Sequence, residues 1–353
     1  GGGGAAAAAA LVKREDEGVQ GAEAMVEAMA EEEAVVVKAE AAEGTPDAEA
    51  EAQVEVEAEA GGGEGGEVRD YIQSVSGYVT SADLQESDLS IALQAAVAEA
   101  LAAAGVTAEP VAVRVLSSID STSQAQELML QRQWSSGEAY PSEFPYHSRA
   151  IMLLQKVDGL EVNFFTMYTQ EYGAACPQPN TRRVYISYVD SVKYFQSSPS
   201  GHRSTVYRAL LCAYMRACRA RGFRHVHIWV EPPRAGDEYI FYARPAEQRK
   251  PMKREKLRAW YCKMLERSKL EGTTQRYGSM LEEFRDISSA REIPMFEGDQ
   301  WELTVPALMQ DDEGSAEGGA LGQGNLHPAE MMAELSPSRP TKLAPKPPPR
   351  GGG

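Results

Sequence analysis

Arg203 and Ser204 combine a guanidinium group and a hydroxyl at the predicted start of a helix. That helix is predicted over Arg203–Arg221, because apolar residues recur there at helical spacing and Gly222 suits its carboxyl end. The first turn of a helix carries backbone N–H groups without intrahelical acceptors, and the helix dipole favours an anion there. The pair therefore predicts a phosphate-binding site. A plain helix N-cap at Ser204 is the alternative, and the two roles are compatible.

Charges of opposite sign are concentrated in two neighbouring stretches of the sequence. Residues 203–269 hold 17 basic and 6 acidic side chains, whereas residues 277–313 hold 10 acidic and 2 basic ones. Solvation of helix surfaces is the ordinary explanation of such charge. Opposite blocks within one domain also suit an enzyme that joins a polyanionic cofactor to a cationic substrate, and we take this as a hypothesis.

The cysteine and histidine content argues against a metal site. The four cysteines form no C-x-x-C pair, and the five histidines complete no ligand set. His225 and His227 share one face of a predicted strand, where ordinary side chains beside a core strand are the favoured interpretation. A run of about 18 apolar residues and a signal-peptide pattern are both absent, which predicts a soluble protein that is not secreted. Reduced, unpaired cysteines suit an intracellular protein.

A central sheet with helices around it must position the residues that carry chemistry. A helix is predicted from Ser87, which suits an N-cap, to Gly105, because leucine and valine recur between them at helical spacing. Asp158-Gly159 between the β-rich runs 150–157 and 160–168 predicts a hairpin. The other predicted elements are strands at Val111–Val115, Arg183–Val189 and Val226–Val230 and a helix at Lys256–Lys269. The pattern indicates a mixed α/β or α+β domain over residues 84–310.

The two ends of the chain differ in composition from this domain. Residues 1–70 hold 19 acidic and 4 basic side chains, and no aromatic residue precedes Tyr71. A segment of Gly, Ala, Glu and Val buries too little apolar surface to offset its conformational entropy. Residues 1–83 are therefore predicted to form a disordered acidic arm. Residues 311–353 are rich in Gly, Ser and Pro and are predicted to form a disordered tail.

Four blocks of the sequence resemble the catalytic domain of the CREB-binding-protein (CBP) type histone acetyltransferases, including the plant HAC type. The longest is Q-E-Y-G-A-A-C-P-Q-P-N-T-R-R-V-Y-I-S-Y-V-D-S-V-K-Y-F (Gln170–Phe195). The others are H-I-W-V-E-P-P…G-D-E-Y-I-F (His227–Phe241), K-L-R-A-W-Y-C-K-M-L (Lys256–Leu265) and I-P-M-F-E-G-D-Q-W (Ile293–Trp301). They occur in the family's order with roughly its spacing, which makes the resemblance specific.

The resemblance implies both a fold and an activity. The fold is a central mixed β-sheet flanked by helices, related to other acetyl-CoA N-acetyltransferases. The activity is transfer of an acetyl group from acetyl-CoA to the ε-amine of lysine on histones H3 and H4 and on other nuclear proteins. A transcriptional co-activator in the nucleus is implied, with transcription factors as further partners. Metal, direct nucleic-acid binding and membrane association are not expected.

Site residues also follow from the resemblance. The residues expected to contact acetyl-CoA are Val189, Asp190, Ser191, Arg203, Ser204, Lys250, Lys256 and Trp260. Tyr261 matches the family's general acid, a phenol whose proton reaches the departing sulfur, and Trp229 matches the aromatic wall of the lysine tunnel. The groove expected for the substrate lysine consists of Ser148, Tyr188, Glu297 and Asp299. Without the resemblance, Trp260 and Tyr261 would be assigned to core packing.

Departures from the family's pattern leave a second hypothesis open. Glu231 stands near Trp229 where the family has cysteine, so a carboxylate near the lysine tunnel would alter substrate preference or obstruct the tunnel. The segment Gln248–Lys256 is one residue longer than usual. After Trp301 the chain passes into low-complexity sequence where the family continues through further helices, and the family's flanking zinc modules are not found. The alternative is a truncated, inactive relative that binds CoA or partner proteins without turnover.

Overall fold

The computed structural model describes residues 79–232, 240–241, 244–245, 248, 252–285, 287, 289–299 and 330–336. The strands are β1 (Val111–Gln124), β2 (Glu143–Val157), β3 (Leu160–Tyr172), β4 (Arg183–Ser191), β5 (His225–Trp229), β6 (Thr274–Ser279) and β7 (Glu330–Leu335). The helices are α1 (Asp88–Ala103), α2 (Glu127–Gln131), α3 (Arg203–Ala220), α4 (Arg254–Leu270) and α5 (Met280–Glu283). The strands form one sheet in the order β1-β2-β3-β4-β5-β7-β6. Only the β4–β5 pair among them is parallel, so the predicted mixed sheet with flanking helices is confirmed.

The hairpin between β2 and β3 follows directly from local sequence. Asp158 and Gly159 have φ values of 51° and 83°, the left-handed conformation that a type I′ turn requires. Val157 pairs with Leu160 across this turn, as predicted. Both strands are longer than their apolar runs, because the paired register continues through polar residues on both strands.

Helices α1, α3 and α4 pack with the sheet around the larger hydrophobic core. α1 begins as predicted, since the Ser87 hydroxyl accepts a hydrogen bond from the Ser90 N–H (3.1 Å). α3 buries Leu210 completely, and such burial contributes about 1.5–3 kcal/mol per side chain. Gly222 ends α3 with a φ of 87°, which glycine adopts without a Cβ clash. None of the described helices is long and apolar enough to cross a membrane.

A smaller core occupies the opposite face of the sheet. Side chains alternate between faces along a strand, and Val184 and Ile186 enter the larger core while Tyr185 between them enters the smaller one. Phe296 stacks on the Tyr185 ring, with 4.8 Å between centroids and 12° between planes. This contact fixes the segment Ile293–Asp299, which carries part of the predicted substrate groove.

The prediction of a disordered carboxyl-terminal tail is wrong for residues 330–336, which the structure describes. Glu330–Leu335 form β7, which lies between β5 and β6 and pairs with both. Met331, Met332 and Ala333 are buried. The sequence E-M-M-A-E-L contains no β-branched residue, so its pairing partners rather than local preference stabilise the strand. The other residues of 311–353 lie outside the described part of the chain.

The acidic arm is predicted to end at residue 83, which is a few residues too far along the chain. The Ser81 hydroxyl donates a hydrogen bond to Glu161 on β3 (2.5 Å). The Ser81 carbonyl accepts one from the Arg114 guanidinium on β1 (2.9 Å). Ordered contacts with the sheet therefore begin before residue 84. Residues 1–78 lie outside the described part of the chain.

Candidate active site

The parallel strands β4 and β5 stop pairing before β4 ends. Their register joins Arg183–Ile186 to His225–Ile228 and goes no further. β4 continues to Ser191 paired with β3, while β5 ends at Trp229. Ligands in sheets with parallel strands bind beyond the carboxyl ends of those strands, where they diverge. The predicted site residues Val189–Ser191 and Trp229 therefore lie at the same end of the sheet.

The Asp190 carboxylate holds a segment of the loop that follows β5. Its Oδ2 accepts hydrogen bonds from the backbone N–H groups of Ile240 and Phe241, both at 3.1 Å. Its Oδ1 accepts one from the Ser191 N–H (2.8 Å) and forms an ion pair with Arg244. Asp190 is buried, so this carboxylate is occupied by the protein itself. Its predicted contact with acetyl-CoA stays a prediction.

The start of α3 differs from the prediction in one respect. His202, not Ser204, is the N-cap residue, so the plain N-cap interpretation of Ser204 is wrong. The Ser204 hydroxyl instead accepts a hydrogen bond from the Trp260 indole N–H (3.1 Å). The N–H groups of residues 205 and 206 bond to the His202 carbonyl, so those of Arg203 and Ser204 precede the first turn's internal bonds.

Two further α3 side chains belong to this site although sequence analysis did not select them. The Arg208 guanidinium lies over the Trp260 ring, 5.8 Å from its centroid. Its Nε is buried and has no hydrogen-bond partner in the described structure. Burial raises the pKa of Tyr207, while neighbouring Ser191 and Arg203 act to lower it. Tyr207 lies near Ser191 and Arg203 but its hydroxyl has no hydrogen-bond partner among the described residues, and the Arg208 Nε–H is a donor that fits a phosphate. The signal for Arg208 was its position about one turn beyond Ser204.

Tyr261 follows Trp260 on α4 and faces inward. The two rings meet edge to face at 5.0 Å between centroids. Tyr261 is buried, with 4% of its surface exposed. Burial raises the pKa of this phenol above its usual range, so it is protonated at neutral pH. A protonated phenol can donate a proton to a departing group.

The predicted substrate groove is partly assembled on the face of the smaller core. Ser148 on β2 pairs in register with Gln170 on β3. The Gln170 side-chain amide donates a hydrogen bond to the Glu297 carbonyl (2.9 Å), and the Glu297 N–H donates one to the Tyr172 hydroxyl (3.3 Å). Glu297 is exposed, so its carboxylate is accessible to a cation. Sequence analysis missed Gln170 and Tyr172, whose only signal was their place in the longest family-like block.

The remaining predicted residues are placed less closely together. Trp229 is half-buried and packs against the smaller core. Tyr188 is 44% exposed and meets Tyr168 edge to face. Asp299 is half-buried beyond Phe296, whose carbonyl accepts a hydrogen bond from the Asp299 N–H (3.2 Å). Lys256 is exposed on the first turn of α4. Lys250 lies outside the described residues.

A serine, a histidine and an aspartate also align on β1 and β2. His147 shares hydrogen bonds with Ser118 (Nε2 to Oγ, 2.6 Å) and with Asp120 (Nδ1 to Oδ1, 2.7 Å). Arg149 donates to the same Ser118 oxygen (2.9 Å) and also pairs with buried Glu171. The Asp120 side chain is 94% exposed, so water competes for it. A serine oxygen that already accepts from a cation is a poor nucleophile, and we assign this cluster to the surface ion network.

His225 and His227 are not arranged as metal ligands. His227 is fully buried beside Arg183, whose Nη1 lies 3.0 Å from the imidazole Nε2. Burial and the Arg183 charge hold the pKa of His227 well below its usual range, and burial lowers the pKa of His225 to about 3. Both are therefore neutral side chains beside a core strand, as predicted. Within the described ranges, no group of three or more His, Cys, Asp or Glu could hold a metal ion.

A mixed sheet whose parallel strands diverge beside the amino end of a basic helix, with a buried phenol next to it, is the arrangement expected of an acetyl-CoA N-acetyltransferase domain. The family model of the KAT3 histone acetyltransferase domain matches residues 97–324, and the chain belongs to this family. This result confirms the resemblance that the four sequence blocks indicated.

Curated relatives agree with this assignment. The chain is 38% identical over 224 residues to histone acetyltransferase HAC12 of Arabidopsis thaliana, which covers 59% of this chain and 13% of the relative. It is 40% identical over 204 residues to protein cbp-1 of Caenorhabditis elegans, covering 57% and 10%. It is 40% identical over 222 residues to the probable histone acetyltransferase HAC-like 1 of Oryza sativa subsp. japonica, covering 58% and 13%. The chain thus matches only a small part of the length of these relatives.

Proposed function

We propose that this chain is a protein-lysine N-acetyltransferase that transfers acetyl from acetyl-CoA to lysine ε-amines of histones H3 and H4 and other nuclear proteins. Membership of the KAT3 family supports this activity. The observation that carries the proposal is the hydrogen bond from Trp260 to Ser204. It ties the amino end of α3, which suits a phosphate, to the helix that presents Tyr261.

On the cofactor side, the cationic groups are placed for a diphosphate. Donors are supplied by the Arg203 side chain, by the N–H groups of Arg203 and Ser204, which precede the first internal bonds of α3, and by the Nε of Arg208, which has no partner among the described residues. Beyond Ile186, the edge of β4 that faces β5 is not paired with it. Backbone groups of Val189 and Asp190 on that edge are therefore expected to bond the amides of pantetheine, whereas the Ser191 N–H already donates to Asp190. Trp260 and Lys256 would flank the cofactor on the α4 side.

In the transfer step, the neutral lysine amine attacks the thioester carbonyl, the N–C bond forms and the C–S bond breaks. Tyr261 gives its proton to the sulfur as the bond breaks, the amine loses a proton to solvent, and the Tyr261 phenolate takes a proton back from solvent. Burial raises the pKa of Tyr261, so the phenol keeps its proton until the sulfur gains negative charge, and the same burial disfavours a free thiolate. Such general acid catalysis accelerates a reaction by about 100- to 10,000-fold.

On the substrate side, Glu297 and Asp299 lie on the segment that the smaller core fixes beside Ser148. An exposed carboxylate attracts the charged lysine and its basic neighbours. Trp229 supplies an apolar wall that favours the neutral amine. Tyr188 completes this groove from the end of β4. A nuclear location and a co-activator role with transcription factors follow from the same family relationship, without direct nucleic-acid or membrane binding.

The test is acetyl transfer from labelled acetyl-CoA to histones H3 and H4 by the full chain. Tyr261→Phe should lower kcat by about 100-fold or more with little change in the KM for acetyl-CoA. Tyr277→Phe is the matched control and should keep normal activity. The Tyr277 hydroxyl on β6 donates a hydrogen bond to Glu266 on α4, the helix that carries Tyr261, but away from Trp260. If the wild type gains thermal stability with CoA yet transfers no acetyl group, the chain is instead an inactive relative that binds CoA without turnover.

A further inference from the structure

The loop between β5 and α4 joins two parts of the proposed site. Trp229 is the last residue of β5, whereas Trp260 and Tyr261 lie on α4. Midway along the loop, Ile240 and Phe241 are bonded to Asp190 on β4. One end of this loop therefore carries the proposed lysine wall and the other leads into the helix that carries the proposed proton donor.

An ion pair connects the two ends of this loop. Glu231 lies two residues beyond the end of β5, and Arg254 is the first residue of α4. Oε1 of Glu231 accepts hydrogen bonds from Nε of Arg254 (3.1 Å) and from its Nη2. The Glu231 side chain is 24% exposed and that of Arg254 is 57% exposed. The contact thus spans the loop at its base and is partly open to solvent.

The charge of Arg254 makes this pair more than an incidental surface contact. A cation in the first turn of a helix is disfavoured by the helix dipole. No side chain caps the α4 amino end, whose N-cap residue is Lys253, itself a cation. The carboxylate of Glu231 offsets this local excess of positive charge. Arg254 bonds only Oε1 of this carboxylate, and Oε2 is buried without a hydrogen-bond partner among the described residues.

We propose that Glu231 and Arg254 form a positioning clamp that closes the loop base and makes cofactor binding sensitive to salt, a role that rests on the proposed acetyltransferase function. Neither residue touches the reacting atoms. The clamp acts on acetyl-CoA affinity, because the loop it closes is bonded to β4 beside the cofactor groove.

Single variants test the clamp through the KM for acetyl-CoA. Glu231→Gln and Arg254→Gln should each raise this KM about two- to fivefold at low salt, the range that exposed ion pairs reach, with kcat nearly unchanged. At about 0.5 M salt, where screening removes the pair in the wild type, variants and wild type should converge. The double variant Glu231→Arg/Arg254→Glu should recover the wild-type KM, because it restores the pair and places a carboxylate at the start of α4. A double variant that behaves like either single variant overturns the clamp.

The matched control is Arg267→Gln on the same helix. Arg267 pairs with Glu271 and is 56% exposed, nearly as exposed as Arg254, but this pair does not span the loop. The KM of the Arg267→Gln variant for acetyl-CoA should stay at the wild-type value. A rise equal to that of the Arg254→Gln variant would show that charge on α4, rather than the contact across the loop, controls this KM.

A second readout separates the clamp from the activity itself. Amide hydrogen exchange at Ile240 and Phe241 needs no turnover, and it should quicken about two- to fivefold in the single variants and recover in the double variant. If the wild type transfers no acetyl group, the proposed function fails while this exchange pattern still supports the clamp. Unchanged exchange in both single variants rejects the clamp whatever the activity.

Discussion

Replacing Asp190 with alanine should release the loop segment at Ile240 and Phe241 from β4. The substitution removes the acceptor of two backbone N–H groups and the partner of Arg244. Each charge-assisted hydrogen bond contributes at least about 1.5 kcal/mol, so the two backbone bonds alone account for about 3 kcal/mol of local opening free energy. At 1.4 kcal/mol per factor of ten, the amides of Ile240 and Phe241 should exchange about 100-fold faster.

The assay is residue-resolved hydrogen exchange with and without CoA, together with CoA affinity. The Leu210 amide in α3 should change much less than those of Ile240 and Phe241, because it opens only with the core. Asp120→Ala is the matched control, since Asp120 is an exposed carboxylate that also accepts a hydrogen bond, and it should leave both loop amides unchanged. CoA should bind Asp190→Ala more weakly. Exchange at Ile240 and Phe241 that matches the wild type would refute the assignment of Asp190 as the group that holds the loop.

Three other perturbations have outcomes set by buried polar contacts. Glu171→Gln removes the charge of a buried carboxylate that pairs with the partly exposed Arg221, and chemical denaturation should show a loss of about 2 kcal/mol. Ser204→Ala removes the acceptor of the Trp260 indole, so calorimetry should show CoA affinity reduced about fivefold, equivalent to about 1 kcal/mol. His227 is neutral in the folded state, whereas the unfolded chain binds a proton below its ordinary pKa of about 6.5, so stability should fall as the pH falls. Denaturation at pH 7 and pH 5 should show a loss of about 2 kcal/mol attributable to this residue, which His227→Gln abolishes.

Much of the local structure could be predicted because its causes lie within a few residues. Asp158-Gly159 produced the β2–β3 turn, since few other residue pairs adopt two successive positive φ values. Ser87 and Gly222 marked helix ends for the same kind of local reason. Ser204 was correctly placed in the first turn of α3, although its hydroxyl bonds to Trp260 instead of capping the helix.

The longer-range arrangement was decided by the tertiary structure. β7 has no strong strand preference of its own, and it is a strand because β5 and β6 offer it two sets of backbone partners. Likewise, the sequence contained the carboxylate of Glu231, but only the fold brought Arg254 to it across the loop.

The sequence by itself therefore determined which groups are available to this protein: an arginine and a serine at a helix start, a phenol beside a tryptophan and a segment that carries two carboxylates. The tertiary structure decided which of these groups meet, because contacts such as those of Ser204 with Trp260 and of Asp190 with Phe241 join residues about 50 positions apart. No short-range pattern encodes such contacts, since they form only when the whole sheet and its helices pack together.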